Sequence, residues 1–575
     1  MVSDFCAKLT KQTDPLGPWL KCLMFKLIWR TLFFCFTLIV GWSIYHFVIR
    51  PSGAFGWDEA VHSLKGLLIA HDLKSGDWLG FLYDTYHQVY WPPLHSWLTG
   101  IAFLFWAPSP ICARTVSLIL FLLTALVIYV AALQLRQPHK EVAATVATLL
   151  FLTSPLMILF SAQVMLEIPG VFFLSLSLLI YIWLNAIPRS PSAHMWLGLA
   201  IALTYFTRTN YGVLLIVVVA ATALLSAGVR GLFSRPAFYT VLPLAIAFAV
   251  WFAYPPKIRS TLVALVNQPA YGMEHPYSLE GFLFYPKVVL HLSGSVWLSA
   301  ILVIALAAAF NYWRKPGIRF LIVLAVVQFG IGLVHQARED RYMLPMVPAL
   351  VLITGFVLAE WWNVQRNAVA WLLRLTILTL CVPALITLKD VLRPLGVPSH
   401  PEVVDSIVGA ASRYNSSLFL STIDMKDPTP PLLDWQLSVE KEILPVTHSG
   451  VVMTLEEERK IWSLVQNLNL PSWLKSELQR VITRAEQPAK TRSLYIGMPP
   501  EASYSSDAQK FGAFLRGMNG GNLLDSVVLI TPLKTNRRYA LDFADEGIGA
   551  IGLEHVSSQF FAGSNLQLDV YGRAP

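Results

Sequence analysis

Runs of about 20 apolar residues recur along this chain from residue 31 to residue 388, and no other feature constrains its fold as strongly. Each run can cross about 30 Å of hydrocarbon as a helix. The segments are 31–49, 113–133, 142–160, 169–187, 194–207, 211–228, 237–255, 290–310, 318–334, 343–361 and 369–388, giving about 11 transmembrane helices. Only 14% of the 575 residues are charged and 55% are hydrophobic, with a mean hydropathy of +0.55. A soluble domain carries about 25% charged residues, so an ordinary soluble enzyme and a disordered chain are both excluded. The first run is too long for a signal peptide and no small-residue cleavage site follows it, so it reads as a retained helix.

A net charge of +8 would suit a nucleic-acid binder. In a polytopic membrane protein, excess Lys and Arg instead marks cytoplasmic loops, so no nucleic-acid partner is expected. Lys8, Lys11, Lys21, Lys26 and Arg30 precede the first span. Arg136 and Lys140, Arg189, Arg230 and Arg235, Arg314, Lys315 and Arg319, and Arg366 fall in alternate connections. With these inside, the connections 50–112, 161–168, 208–210, 256–289 and 335–342 face outward, across the cell (inner) membrane. The five cysteines are scattered without a CxxC, so no disulfide framework or zinc cluster is indicated.

The expected organisation is a cytoplasmic N-terminus (1–30), a transmembrane domain (31–389) with a long outer loop (50–112), and an extracytoplasmic tail (390–575). The tail is charged and punctuated by Pro and Gly, with short apolar runs at Ser417–Ile423, Ser493–Gly497, Ser526–Thr531 and Leu566–Tyr571. Segment 454–486 has helical character with Pro471 as a break, and a small α/β domain is expected. No phosphate loop, nucleotide fingerprint or metal-ligand spacing occurs in it.

Sidedness also groups the unusual polar residues. Asp58 and Glu59 lie in GAFGWDEAVHSLKG, and the same loop ends in YHQVYWPPLHSWLTG. Glu167 lies in SAQVMLEIPGVFF, Arg208 and Asn210 in YFTRTNYG, His275 in YGMEHPYS, and Arg338 and Arg341 in HQAREDRYMLPMVPAL. Each alone has a plain reading: solvated loop acids, a carboxylate at a helix start, headgroup anchors, a loop histidine. Their shared side is the informative point, because a charge held in a membrane helix costs roughly 2.5–3.5 kcal/mol.

Acids and arginines at one bilayer edge suit group transfer from a membrane-anchored phosphate. A sugar on a polyprenyl phosphate presents its anomeric carbon just outside the hydrocarbon. Departure of the lipid phosphate develops negative charge that arginines stabilise. The acceptor hydroxyl needs a carboxylate within about 3 Å to take its proton.

The ordered motifs WDEAVH (57–62), WPPLHSWL (91–98), Ala-Arg at 113–114, the acid after the third span and RYMLPMVPAL (341–350) resemble a family. It is the GT-C glycosyltransferases of the protein O-mannosyltransferase and lipid A aminoarabinose-transferase type, and the resemblance covers roughly residues 30–390. It implies an inverting transfer of a sugar from a polyprenyl-phosphate donor to a lipid, glycan or protein acceptor. By position, Asp58 matches the catalytic acid that activates the acceptor hydroxyl, Glu59 its neighbour in the same site, and Glu167 the second acid. Arg338 and Arg341 fall where the family contacts the lipid phosphate, and Arg208 is placed with them. Arg114 resembles an arginine that supports the outer loop, with Trp91 and Tyr342 as further supporting residues.

Trp91 replaces the polar residue that relatives carry before the Pro-Pro pair, so the donor sugar cannot be copied from them. Some relatives bind a divalent metal through a Glu in that loop and a later His; Tyr90 occupies the first position and His275 suits the second, which leaves metal open. A lipid-linked sugar flippase or transporter and a polysaccharide polymerase are the alternative readings.

Overall fold

The computed structural model describes residues 18–86, 88, 91–135, 139–186, 189–253, 257–258, 261, 278–335, 338–361, 391–422, 425, 428–441, 446–448, 463, 471–472, 476, 491–496, 508–518, 524–532 and 538–573. The expected span 369–388, His275, Tyr90 and nearly all of segment 454–486 lie outside these residues.

Among the described residues, seven helices are long and apolar enough to cross a membrane: Lys26–Ile49, Pro110–Gln134, Glu167–Ala186, Thr209–Ala227, Arg235–Phe252, Pro316–Val334 and Asp340–Trp361. Lys140–Leu152 and Pro155–Ser161 make an eighth if the pair, bent by 65°, is one span. The bend has a local cause: Pro155 has no N–H to give the helix and disfavours helical geometry at Ser154, which is extended (ψ 119°). Two expected spans prove short, Met195–Thr207 with 13 residues and the apolar helix Val296–Tyr312. The chain is a multi-pass membrane protein.

Helix Val347–Trp361 forms the axis of the bundle. It is apolar on every face, so it is buried almost throughout. A Cβ on Gly355 would stand 2.4 Å from Ala143 O, so this axis and the helix Lys140–Leu152 touch backbone to backbone.

The outer loop folds as a helical platform, Trp57–Ser75, Trp78–Tyr86 and Leu94–Phe105. Its first and last helices cross at two glycines. A Cβ on Gly66 would meet Thr99 Cγ2 at 2.9 Å, and one on Gly100 would meet Gly66 O at 2.9 Å.

The tail forms a six-stranded sheet with strands β1 Ser417–Thr422, β2 Val446–His448, β3 Thr491–Ile496, β4 Ser526–Pro532, β5 Glu554–Phe561 and β6 Leu566–Gly572. Their order is β2-β3-β1-β4-β6-β5, parallel from β2 to β4 and antiparallel from β4 through β6 to β5. Alternate residues of β1 and β4 enter opposite cores. Phe419, Val528 and Ile530 pack with the helix Pro401–Ala411, and Leu418, Leu420, Val527 and Leu529 with Phe511, Leu515 and Ile548. This is the expected α/β unit.

The tail is joined to the platform. Gly53 N donates to Leu395 O at 2.9 Å and Ala54 N to Val397 O at 2.8 Å. Helix Pro430–Glu440 lies on helix Trp57–Ser75 and sets the Trp435 ring 4.9 Å from Phe55 and 5.8 Å from Phe103.

Candidate active site

Asp58 and Glu59 occupy the first turn of the helix Trp57–Ser75, where carboxylates are favoured by the exposed N–H groups and the dipole. One residue of helical rotation, about 100°, separates their side chains and their surroundings. Glu59 points inward and is 7% exposed. Arg114 grips it with two parallel hydrogen bonds, Nε to Oε1 at 2.9 Å and Nη2 to Oε2 at 2.8 Å. Val164 N donates to Oε1 at 3.1 Å and Gly56 N to Oε2 at 3.2 Å. Arg114, fully buried, also donates to Gly53 O at 2.9 Å and Ala54 O at 3.2 Å. Both Glu59 oxygens therefore have partners within the protein.

Asp58 faces the other way, with its side chain 41% exposed. Arg341 Nη1 lies 3.6 Å from Asp58 Oδ2 and 3.7 Å from Glu167 Oε1. Arg208 Nη1 approaches the same Glu167 oxygen at 2.6 Å. Glu167 begins its helix and is 0% exposed. Its Oε2, together with Arg208 Nε and Tyr211 Oη, has no hydrogen-bond partner among the described residues. Buried polar atoms without partners cost about 1–3 kcal/mol each, so three in one cluster mark a place built for a ligand or water. Arg341 Nε also donates to Glu339 Oε2 in a close contact.

The two arginines expected near the lipid phosphate part company. Arg341 joins the carboxylates. Arg338 is 7% exposed and its terminal nitrogens donate to Gly332 O at 3.0 Å, to Leu333 O at 3.3 Å and to His335 O. It adds donors to carbonyls at the end of the helix Pro316–Val334, where Gly332 O also accepts from His335 N at 3.1 Å. Tyr342 flanks the site: the Arg341 guanidinium lies 5.8 Å from its ring, and its carbonyl accepts from Gln328 Nε2 at 2.6 Å.

Trp91 stands edge-on to His62 at 4.9 Å between ring centres. His62 meets His95 at 5.4 Å. Burial, with the positive charges of Arg208 and Arg341, pushes His62 down to about 3. Burial and the neighbouring His62 push His95 down to about 3. His95 is 1% exposed, and neither of its ring nitrogens has a partner among the described residues. Beyond them, Lys257 Nζ donates to Gln88 O at 2.7 Å. Burial and the Lys65 charge push Lys257 down to about 7.

His62, His95, Tyr211 and Glu339 were not among the residues expected at the site. His62 carried a readable signal, since it lies one helical turn after Asp58 and so shares its face. Tyr211 follows Asn210 in a motif already noted. Glu339 was hidden in the mixed charges of AREDR. Among the described residues, no group of three His, Cys, Asp or Glu could hold a metal, and Tyr90 and His275 lie outside them.

Residues 91–254 match the family described as dolichyl-phosphate-mannose-protein mannosyltransferase. ArnT from Cupriavidus metallidurans in the apo state is similar over 94% of this chain and 97% of its own, at 15% identity and a TM-score of 0.56. The same protein bound to undecaprenyl phosphate is similar over 94% and 98%, at 15% identity and 0.54. The archaeal oligosaccharyltransferase AglB from Archaeoglobus fulgidus, in complex with an inhibitory peptide and a dolichol-phosphate, is similar over 95% of this chain and 74% of its own, at 13% identity and 0.51. Comparison with curated proteins gave no match. The chain has the fold of the GT-C membrane glycosyltransferases, and the resemblance expected from its motifs is borne out.

Proposed function

We propose that this protein is a membrane glycosyltransferase that moves a sugar from a polyprenyl-phosphate donor to a hydroxyl acceptor at the outer face of the inner membrane. The observation that carries this reading is the meeting of Asp58, Glu167, Arg208 and Arg341 at one end of the membrane helices. The family match over residues 91–254 supports it, as do ArnT bound to undecaprenyl phosphate and AglB in complex with dolichol-phosphate.

Transfer proceeds as one displacement with inversion. The acceptor oxygen attacks the anomeric carbon and gives its proton to Asp58, the exposed carboxylate. The bond between that carbon and the phosphate oxygen breaks, and the electron pair leaves on the lipid phosphate. Arg341 and Arg208 stabilise that charge, and Glu167 holds both guanidiniums in place. Glu59 and Arg114 are positioning residues that fix the turn carrying Asp58. Arg338 acts through the fold by anchoring the segment that carries Arg341.

Residues 31–389 form the catalytic membrane domain and residues 390–575 an extracytoplasmic domain that braces the platform, with 1–30 in the cytoplasm. The basic ends of the helices support this sidedness. Lys315 pairs with Glu360 at 3.3 Å at the end of the helices opposite Asp58. The acceptor is a glycolipid, a polysaccharide or a protein.

The test uses the full-length protein in liposomes, a panel of radiolabelled polyprenyl-phosphate sugars, and loss of label from the lipid. Wild type should consume one donor, and Asp58→Asn should lower the rate by about 10²–10⁴-fold, as for loss of a general base. Donors that stay intact while crossing between leaflets would replace this reading with a flippase.

A further inference from the structure

Arg341 faces three carboxylates, and the transfer reaction needs only two of them. Asp58 serves as base, and Glu167 is fully buried with Arg208 as a second partner. Glu339 has no such task, yet it holds Arg341 Nε. Its side chain is 31% exposed. It sits two residues before Arg341 on the same turn, which Tyr342 N closes by donating to Glu339 O at 3.2 Å. The carboxylate and the guanidinium thus project from one short turn and meet without any contact from another element.

The chemistry of the reaction gives such a group a role. The donor lipid is a phosphodiester with one negative charge. When the bond from the anomeric carbon to the phosphate oxygen breaks, the lipid leaves as a phosphomonoester, carrying about −1.5 to −2 at neutral pH. Cations that stabilise this leaving group also hold the product more tightly than the substrate. A fixed carboxylate on the same arginine competes for the guanidinium and repels the more charged species more strongly.

We infer that Glu339 is a product-release residue, which lowers the affinity of the site for the polyprenyl phosphomonoester relative to the donor diester. This rests on the reading of the site as one for polyprenyl phosphates. The role is a matter of discrimination between two charge states of one lipid, and the transfer step itself does not require it.

The experiment measures binding of two non-reacting probes to the full-length protein in nanodiscs, a polyprenyl phosphate and its methyl phosphodiester. Glu339→Gln should tighten the monoester about tenfold and the diester about threefold or less, the scale of removing one like charge at a partly exposed site. Glu339→Asp should keep the wild-type ratio, which a purely structural role would not demand. Glu339→Ala repeats the test through a different side chain if the amide disturbs folding. Equal tightening of both probes, or weaker binding of the monoester, overturns the proposal. Wild-type protein that binds neither probe overturns the reading of the site itself.

Discussion

Arg341 Nη1 stands 3.6 Å from Asp58 Oδ2, so the segment before the axial helix meets the first turn of the outer platform. With Asp58 side chain 41% exposed, the pair adds at most about 1 kcal/mol to stability. Its value lies in where it places a cation. Arg341→Lys keeps the charge and loses the fork that reaches Asp58, Glu167 and Glu339 together. Transfer should fall about 10²-fold with the melting temperature nearly unchanged. Steady-state rates beside thermal unfolding check this, and a fully active lysine variant would remove Arg341 from the mechanism.

The Glu59–Arg114 clamp makes the opposite prediction. Both groups are buried, and removing one leaves an uncompensated charge, which costs about 3–5 kcal/mol. Glu59→Gln and Arg114→Met should each lower the melting temperature sharply. The double variant should be less damaged than the sum of the two. Strict additivity in that cycle would contradict the coupling that the hydrogen bonds describe.

Much of this architecture is legible in the sequence, because hydrophobic length and alternating basic connections speak directly of spans and sidedness. That argument grouped Asp58, Glu167, Arg208 and Arg341, together with Glu59, Asn210, His275 and Arg338. Dividing work between Asp58 and Glu59 rested on the family resemblance alone, since adjacent helix residues point about 100° apart and the helix orientation comes from packing. Arg338 and Arg341 look equivalent in AREDRY until the carbonyls ending the helix Pro316–Val334 claim one of them. The docking of Trp435 on Phe55 joins segments remote in sequence, and local pattern holds no sign of it.

The buried histidines make the platform sensitive to acid. His62 and His95 titrate near 3 when folded, against 6.5 for the free side chain. Between those values the unfolded chain binds protons that the folded chain refuses, so stability is complete above about pH 6.5 and declines as pH falls toward 3. Each histidine withdraws stability over that window. The melting temperature should drop between pH 7.5 and pH 5, and His95→Phe should flatten the drop. A wild-type profile that is level over this range would show that the histidines are solvated.

Trp435 tests whether the tail serves the site. It is 4% exposed and its ring packs on Phe55, the residue whose ring also lies 5.4 Å beneath the Arg114 guanidinium. Truncating a buried Trp costs about 3–5 kcal/mol through lost burial and the cavity left behind. The loss would fall on the contact between the tail helix Pro430–Glu440 and the turn that carries Asp58. Trp435→Ala should therefore raise hydrogen exchange in residues 53–64 and lower transfer, while exchange in β1 and β4 stays slow because their two cores are untouched. If exchange instead rose across the sheet and the platform stayed protected, the tail would be an independent module, and its contact with the outer loop would have no part in forming the site.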